Sequence, residues 1–215
     1  MPGFPLGTFY GPEYVGVDAQ GRQLFAKYDA QVNSAGVITA RTRNGETLTP
    51  TANDYGVIGN ANPNYTLGTT GKLRAGRFDA SYLVRGVFGQ SVLNNTALVY
   101  STKGNALQDK NFLKSALTDP IGITQPAIFS SRWVEDGSFV RLQNVTVGYS
   151  FTLPGTWQQG RSTRVYVSGD NLLLKTNYTG YDPDAFTSSG LASRGIDYLN
   201  YPNPRTVILG ARLDF

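Results

Sequence analysis

Apolar residues recur at every second position over stretches of ten residues or more, and the linkers between those stretches are short and long by turns. In "PNYTLGTTGKLRAG" the odd positions hold Tyr65, Leu67, Leu73 and Ala75, with Lys72 and Arg74 between them. "RFDASYLVRGVFGQSV" sets Phe78, Ala80, Tyr82 and Val84 against Arg77, Asp79, Ser81 and Arg85. "SFVRLQNVTVGYSFTL" sets Val145, Val147, Tyr149, Phe151 and Leu153 against Asn144, Thr146, Gly148 and Ser150, with Leu142 out of phase. In "STRVYVSGDNLLLKT", Val165 and Val167 face away from Arg164, Ser168 and Asp170, and the final "RTVILGARLDF" alternates through Val207, Leu209, Ala211 and Leu213. "PLGTFYGPEYVGV" is a weaker candidate near the start. A period of two belongs to a strand with one apolar and one polar face, and the helical period of 3.6 is nearly absent.

Gly76 follows the first stretch at once and "PGTWQQGR" follows the third, whereas the second and fourth lead into linkers of several tens of residues. Alternating short and long connections between long two-faced strands is the pattern of an outer-membrane barrel, with short periplasmic turns and long extracellular loops. The expected fold is therefore all-β, an antiparallel transmembrane β-barrel segment of about five or six long strands. Gly76 is expected in a periplasmic turn and Gly180 in an extracellular loop. The competing fold is a secreted β-sandwich, a carbohydrate-binding or adhesion module. Its strands are shorter, and it has little use for Lys72, Arg85, Arg164 and Arg212 in mid-strand, where a wet lumen suits them.

Composition agrees. Charged residues make up 16% of the 215 residues and aromatic ones 12%, with 25 glycines, whereas soluble domains carry roughly a quarter charged residues. The net charge of +4 is spread along the chain with no basic run, which argues against nucleic acid. There is no cysteine and no histidine, which removes thiolate chemistry, the commonest metal ligand and every Ser-His arrangement. With no nucleophile elbow either, no enzyme activity and no cofactor are expected. "MPGFPLGTFYGPEY" is no signal peptide, and no stretch has the length of a spanning helix.

The segments "SRWVEDGSFVRLQNVTVGYSF", "RVYVSGDNLL", "GYDPD" and "NYPNPRTVILGARLDF", with "PLGTFYGPEYVGV", "VIGNANPNYTLG" and "GRFDASYLVRGVFG" before them, resemble in order the closing part of the SusC/RagA family of TonB-linked outer-membrane proteins. The resemblance implies the C-terminal part, residues 1–215, of a TonB-dependent transporter barrel of about 22 strands, without its plug domain. It implies the cell outer membrane as location and uptake of large nutrients such as oligosaccharides or peptides. The partners it implies are outer-membrane lipid, a SusD-like lipoprotein, TonB through the missing plug region, and the barrel assembly machinery. Gly210, Leu213 and Phe215 fit the family's terminal assembly signal, although Ile208 replaces a usual polar residue. "QVNSAGVIT" stands where many members have an acidic calcium-loop-like stretch, and Gln31 and Ala35 replace carboxylates that such a loop needs.

Other residues have plainer readings. Tyr178, Tyr181, Tyr198 and Tyr201 in the last long linker are candidates to stack on a ligand's sugar rings, against ordinary loop packing. Asp182 and Asp184 read as an Asp-Pro turn rather than a metal or acid/base pair, and Glu135 and Asp136 as a turn leading into a strand. The Asn-x-Thr triplets at Asn64, Asn94, Asn144 and Asn177 are idle in a bacterial outer membrane.

Overall fold

The computed structural model describes residues 3–108, 111–118, 122–152, 162–184 and 194–213, the side chains of 106–108 excepted. The turn expected at "PGTWQQGR" and the terminal Phe215 lie outside the described residues. In chain order the strands are β1 Thr8–Pro12, β2 Tyr14–Val17, β3 Gln23–Val32, β4 Ile38–Thr47, β5 Tyr55–Asn60, β6 Tyr65–Ala75, β7 Phe78–Phe88, β8 Ser91–Asn94, β9 Val134–Asp136, β10 Phe139–Thr152, β11 Ser162–Thr176, β12 Ile196–Asp197 and β13 Thr206–Leu213. Two short helices, α1 Asn95–Tyr100 and α2 Ser115–Thr118, lie between β8 and β9. Among the described residues no helix is long and apolar enough to cross a membrane. The chain divides into two compact units. One holds residues 64–88, 138–177 and 202–215, and the other holds 1–63, 89–137 and 178–201.

The first unit is one antiparallel sheet in the order β13-β11-β10-β7-β6, a meander in which every long alternating stretch pairs with its neighbour in sequence. Gly76 sits at the β6–β7 turn with φ of +59°. A two-residue hairpin needs a left-handed residue there, and glycine supplies it without a Cβ penalty. The register brings like faces together. Leu73, Ala80, Val147, Val167 and Leu209 form one lateral row across all five strands. Ala75, Phe78, Tyr149, Val165 and Ala211 form the next, with the Phe78 and Tyr149 rings 4.8 Å apart.

Leu142, out of phase in the sequence, lies on the apolar face. Against β7 the register shifts between Leu142 and Asn144, so that Gln143 is the extra residue of a β-bulge, and β11 sets two residues, Asn171 and Leu172, opposite it. The bulge sets Leu142 opposite Val84 and Leu173 and turns Arg141 to the other face, opposite Arg85.

The second unit packs short sheets, β1-β5, β2-β3-β4 and β12-β8-β9, with a core of Phe9, Ala61, Leu93, Ile123 and Trp133. β8 pairs with β12 in parallel. The weak strand candidate at "PLGTFYGPEYVGV" becomes β1 and β2, which belong to these short sheets. "QVNSAGVIT" forms the β3–β4 turn, where Asn33 Oδ1 accepts the amides of Ala35 and Val37 at 3.0 and 2.9 Å. Asn33 therefore closes a hairpin with its own side chain. Glu135 and Asp136 differ from the turn expected of them: they form β9, paired with β8.

Candidate functional site

The two faces of the five-stranded sheet are chemically distinct. On the polar face Arg164 reaches past Gly148 on β10 to Asp79 on β7, donating from Nε at 2.8 Å and from Nη2 at 2.5 Å. A Cβ at Gly148 would run into the Arg164 guanidinium, so the glycine is the gap through which the pair forms. Asn144 donates to Asp170 at 2.7 Å, and the Thr146 and Ser168 hydroxyls are 2.8 Å apart across the same two strands. On the apolar face Leu73 is 69% exposed and Leu209 81% exposed. A soluble sandwich would cover this face with a second sheet, and leaving such rows in water forfeits about 1.5–3 kcal/mol for each large side chain. An antiparallel meander that is polar on one side, apolar and uncovered on the other, and among the described residues open at both edges is a sector of a transmembrane barrel wall.

Of the expected assembly signal, Gly210 and Leu213 lie on β13. Leu213 is on the apolar face, opposite Thr163. Gly210 is opposite Tyr166, and the Tyr166 ring lies where a Cβ at 210 would be. The Arg164 guanidinium stands 5.1 Å from the centre of that ring, so Asp79, Arg164, Tyr166 and Gly210, from three strands, form one strip that runs past Gly148 on β10.

The four loop tyrosines part company. Tyr178 is 6% exposed and donates its hydroxyl to Asp197 Oδ2 at 2.5 Å, which makes it a packing residue. Burial first, then that hydrogen bond, pushes its phenol far above the ordinary tyrosine range. Tyr181 is 75% exposed and lines a cavity of about 580 Å³ in the second unit. Tyr198 hydrogen-bonds Tyr100, another lining residue, and raises the Tyr100 phenol. Tyr201 is 93% exposed and apart from the cavity lining.

Around the cavity stand residues whose partnership the sequence did not mark. Glu135 accepts the amide and hydroxyl of Thr179, each at 2.8 Å, and the Asn94 side-chain amide at 2.9 Å. Asn94 Oδ1 in turn accepts the Ala97 amide at 2.9 Å and so caps α1. That cap was readable, since an Asn before "NTALVY" is a helix-start signal; the partnership with Glu135, 41 residues away, was not. Asp182 Oδ1 accepts the Asp184 amide at 3.0 Å, as the Asp-Pro turn requires. Among the described residues no three metal-binding side chains gather.

No protein-family model matches the chain. Named proteins do. It is 34% identical over 227 residues to TonB-dependent receptor P3 of Formosa agariphila, a match covering 99% of this chain and 22% of the receptor. It is 31% identical over 158 residues to TonB-dependent receptor SusC of Bacteroides thetaiotaomicron, covering 69% of this chain and 15% of SusC. A chain in the structure of the RagAB peptide transporter superposes with a TM-score of 0.71 at 25% identity, over 97% of this chain and 23% of that one. The 'closed-closed' state of the RagAB peptide importer gives 0.70 at the same identity. The chain is a homologue of one stretch of the TonB-dependent receptors of the SusC/RagA type. It spans about a fifth of the length of the curated relatives it matches, 22% for the P3 receptor. These relatives are receptors and importers rather than stand-alone binding modules or enzymes.

Proposed function

We propose that this chain is the C-terminal part of the wall of an outer-membrane importer of the SusC/RagA type, taking up large nutrients such as oligosaccharides or peptides. The observation that carries the reading is the apolar row Leu73-Ala80-Val147-Val167-Leu209, continuous across five strands and exposed, in a chain homologous to TonB-dependent receptors. In this reading the apolar face meets lipid, and the strip of Asp79, Arg164 and Tyr166 faces the lumen. A plug outside these 215 residues contacts TonB. A SusD-like lipoprotein closes the outer end, and the barrel assembly machinery inserts the whole.

The test is cysteine labelling in intact cells carrying the full-length parent. Gly180→Cys should react with a membrane-impermeant maleimide, Gly76→Cys should not, and Val147→Cys should react only with a lipid-soluble reagent. Surface reaction at 76 with none at 180 would invert the topology and overturn the assignment.

A further inference from the structure

Asn44 on β4 is the one asparagine in the sequence that is followed by a glycine. Asparagine is thermolabile because the backbone nitrogen of the next residue can displace its side-chain amide. A side chain on that next residue hinders the attack, and Gly45 has none. Both residues are exposed. Among the described residues, apart from its chain neighbours, no atom lies within 4 Å of where a Cβ at Gly45 would stand.

Regular strand pairing would still hold the backbone too firmly for that attack, but here the pairing is interrupted. Tyr28 pairs with Arg43 and Ala26 with Glu46, so Lys27 alone faces both Asn44 and Gly45. Two residues against one make a β-bulge, where the ladder is locally disrupted. Gly45 has φ of +102°, a conformation that glycine enters freely. Asn33, which precedes a serine at the hairpin turn, is the contrast. Its Oδ1 accepts the amides of Ala35 and Val37 at 3.0 and 2.9 Å, which pins its carboxamide in the turn.

We propose that Asn44 is a site of spontaneous deamidation and that its products loosen the end of β4 from β3. The Gly45 nitrogen gives up its proton to solvent and bonds to Asn44 Cγ, the Cγ–Nδ2 bond breaks, and the amide leaves as ammonia. Water opens the resulting five-membered imide at either carbonyl, so the net change is one water consumed and one ammonia released. Asn44 Nδ2 donates to Asp29 Oδ2 at 2.7 Å. Opening to aspartate replaces that donor by a second carboxylate, and like charges side by side destabilise a strand pair. Opening the other way runs the main chain through the side-chain carbon and breaks the register of β4. The pairs just beyond are Ala26 with Glu46 and Phe25 with Thr47, and Phe25 and Ala26 are fully buried.

The test does not depend on transport. The full chain folded in detergent is aged in warm, mildly alkaline buffer beside the same chain in urea, and its peptides are read by mass spectrometry for amide replaced by acid. In the folded chain Asn44 should convert ahead of every other asparagine, and Asn33 should convert only in urea. Asn44→Asp, which installs the main-chain product, should be cut by trypsin after Arg43 about two- to fivefold faster than the starting protein. Combining it with Asp29→Asn again sets an amide against a carboxylate and should restore the original rate. Asn44→Gln should age without becoming easier to cut. The proposal is overturned if Asn44 stays intact in the folded chain while it converts in urea, or if another asparagine overtakes it. It is equally overturned if Asn44→Asp is cut no faster than the starting protein, or if adding Asp29→Asn leaves the faster cutting unchanged.

Discussion

A methyl group added at Gly210 would run into the Tyr166 ring on the neighbouring strand. The same glycine matches a terminal signal read by assembly machinery, and the two roles separate by experiment. Gly210→Ala in the full-length parent should lower the folded, heat-modifiable fraction, since forcing a methyl into a filled space costs about 1–3 kcal/mol. If packing is the whole cause, adding Tyr166→Ala should restore that fraction. If the machinery reads Gly210, the double variant stays as poor as the single one. The ion pair beside it invites a plainer measurement. Arg164→Ala leaves Asp79 without the partner that reaches it past Gly148. Both side chains are partly open to solvent, so the expected loss is small, read as a slightly lower urea midpoint of the detergent-folded parent.

Gln143 does at the level of the strand what glycine does at a single residue. As the extra residue of β10 against β7, it lets Val140 and Leu142 share a side with Val145, Val147, Tyr149 and Phe151. Deleting it should shift one segment by one place and exchange its faces, carrying Arg141 to the lipid side and Leu142 to the lumen. An arginine facing lipid costs about 2–4 kcal/mol at the midplane and less near the interface. The folded fraction of the parent should therefore fall, and Arg141→Leu in the deletion background should recover part of it. A deletion that leaves assembly untouched would show that the bulge does not set the register. The five strands of this sheet were legible because alternation between lipid and water is written residue by residue, as in Val145, Val147, Tyr149 and Phe151. The bulge surfaced only as Leu142 being out of phase. The short strands β8, β9 and β12 were not legible, because sequences as brief as Val134–Asp136 carry no period and owe their form to partners such as Asn94 and Thr179. For the same reason, of the four loop aromatics Tyr181 alone lines the cavity, while Tyr198 and Tyr178 bond its lining residues Tyr100 and Asp197 from behind.

At the scale of the whole molecule, the sheet formed by the described residues ends in two unpaired edges, β6 and β13. Each unsatisfied backbone group in lipid costs several kcal/mol, so these edges need neighbouring strands to complete a wall. The purified 215-residue chain reconstituted in liposomes should therefore pass no substrate. Measurable uptake of a fluorescent oligosaccharide by such liposomes would contradict the reading of the chain as a sector rather than a pore. The chain also passes back and forth between its two units, leaving one after residues 63, 88, 137, 177 and 201. Neither unit is a contiguous cassette. A single crossover after residue 88, 137 or 177 would divide the five-stranded sheet between two parents, and exchange of the cavity-bearing unit demands three simultaneous grafts. A designer who wishes to move that unit intact into another chain must therefore carry residues 1–63, 89–137 and 178–201 together.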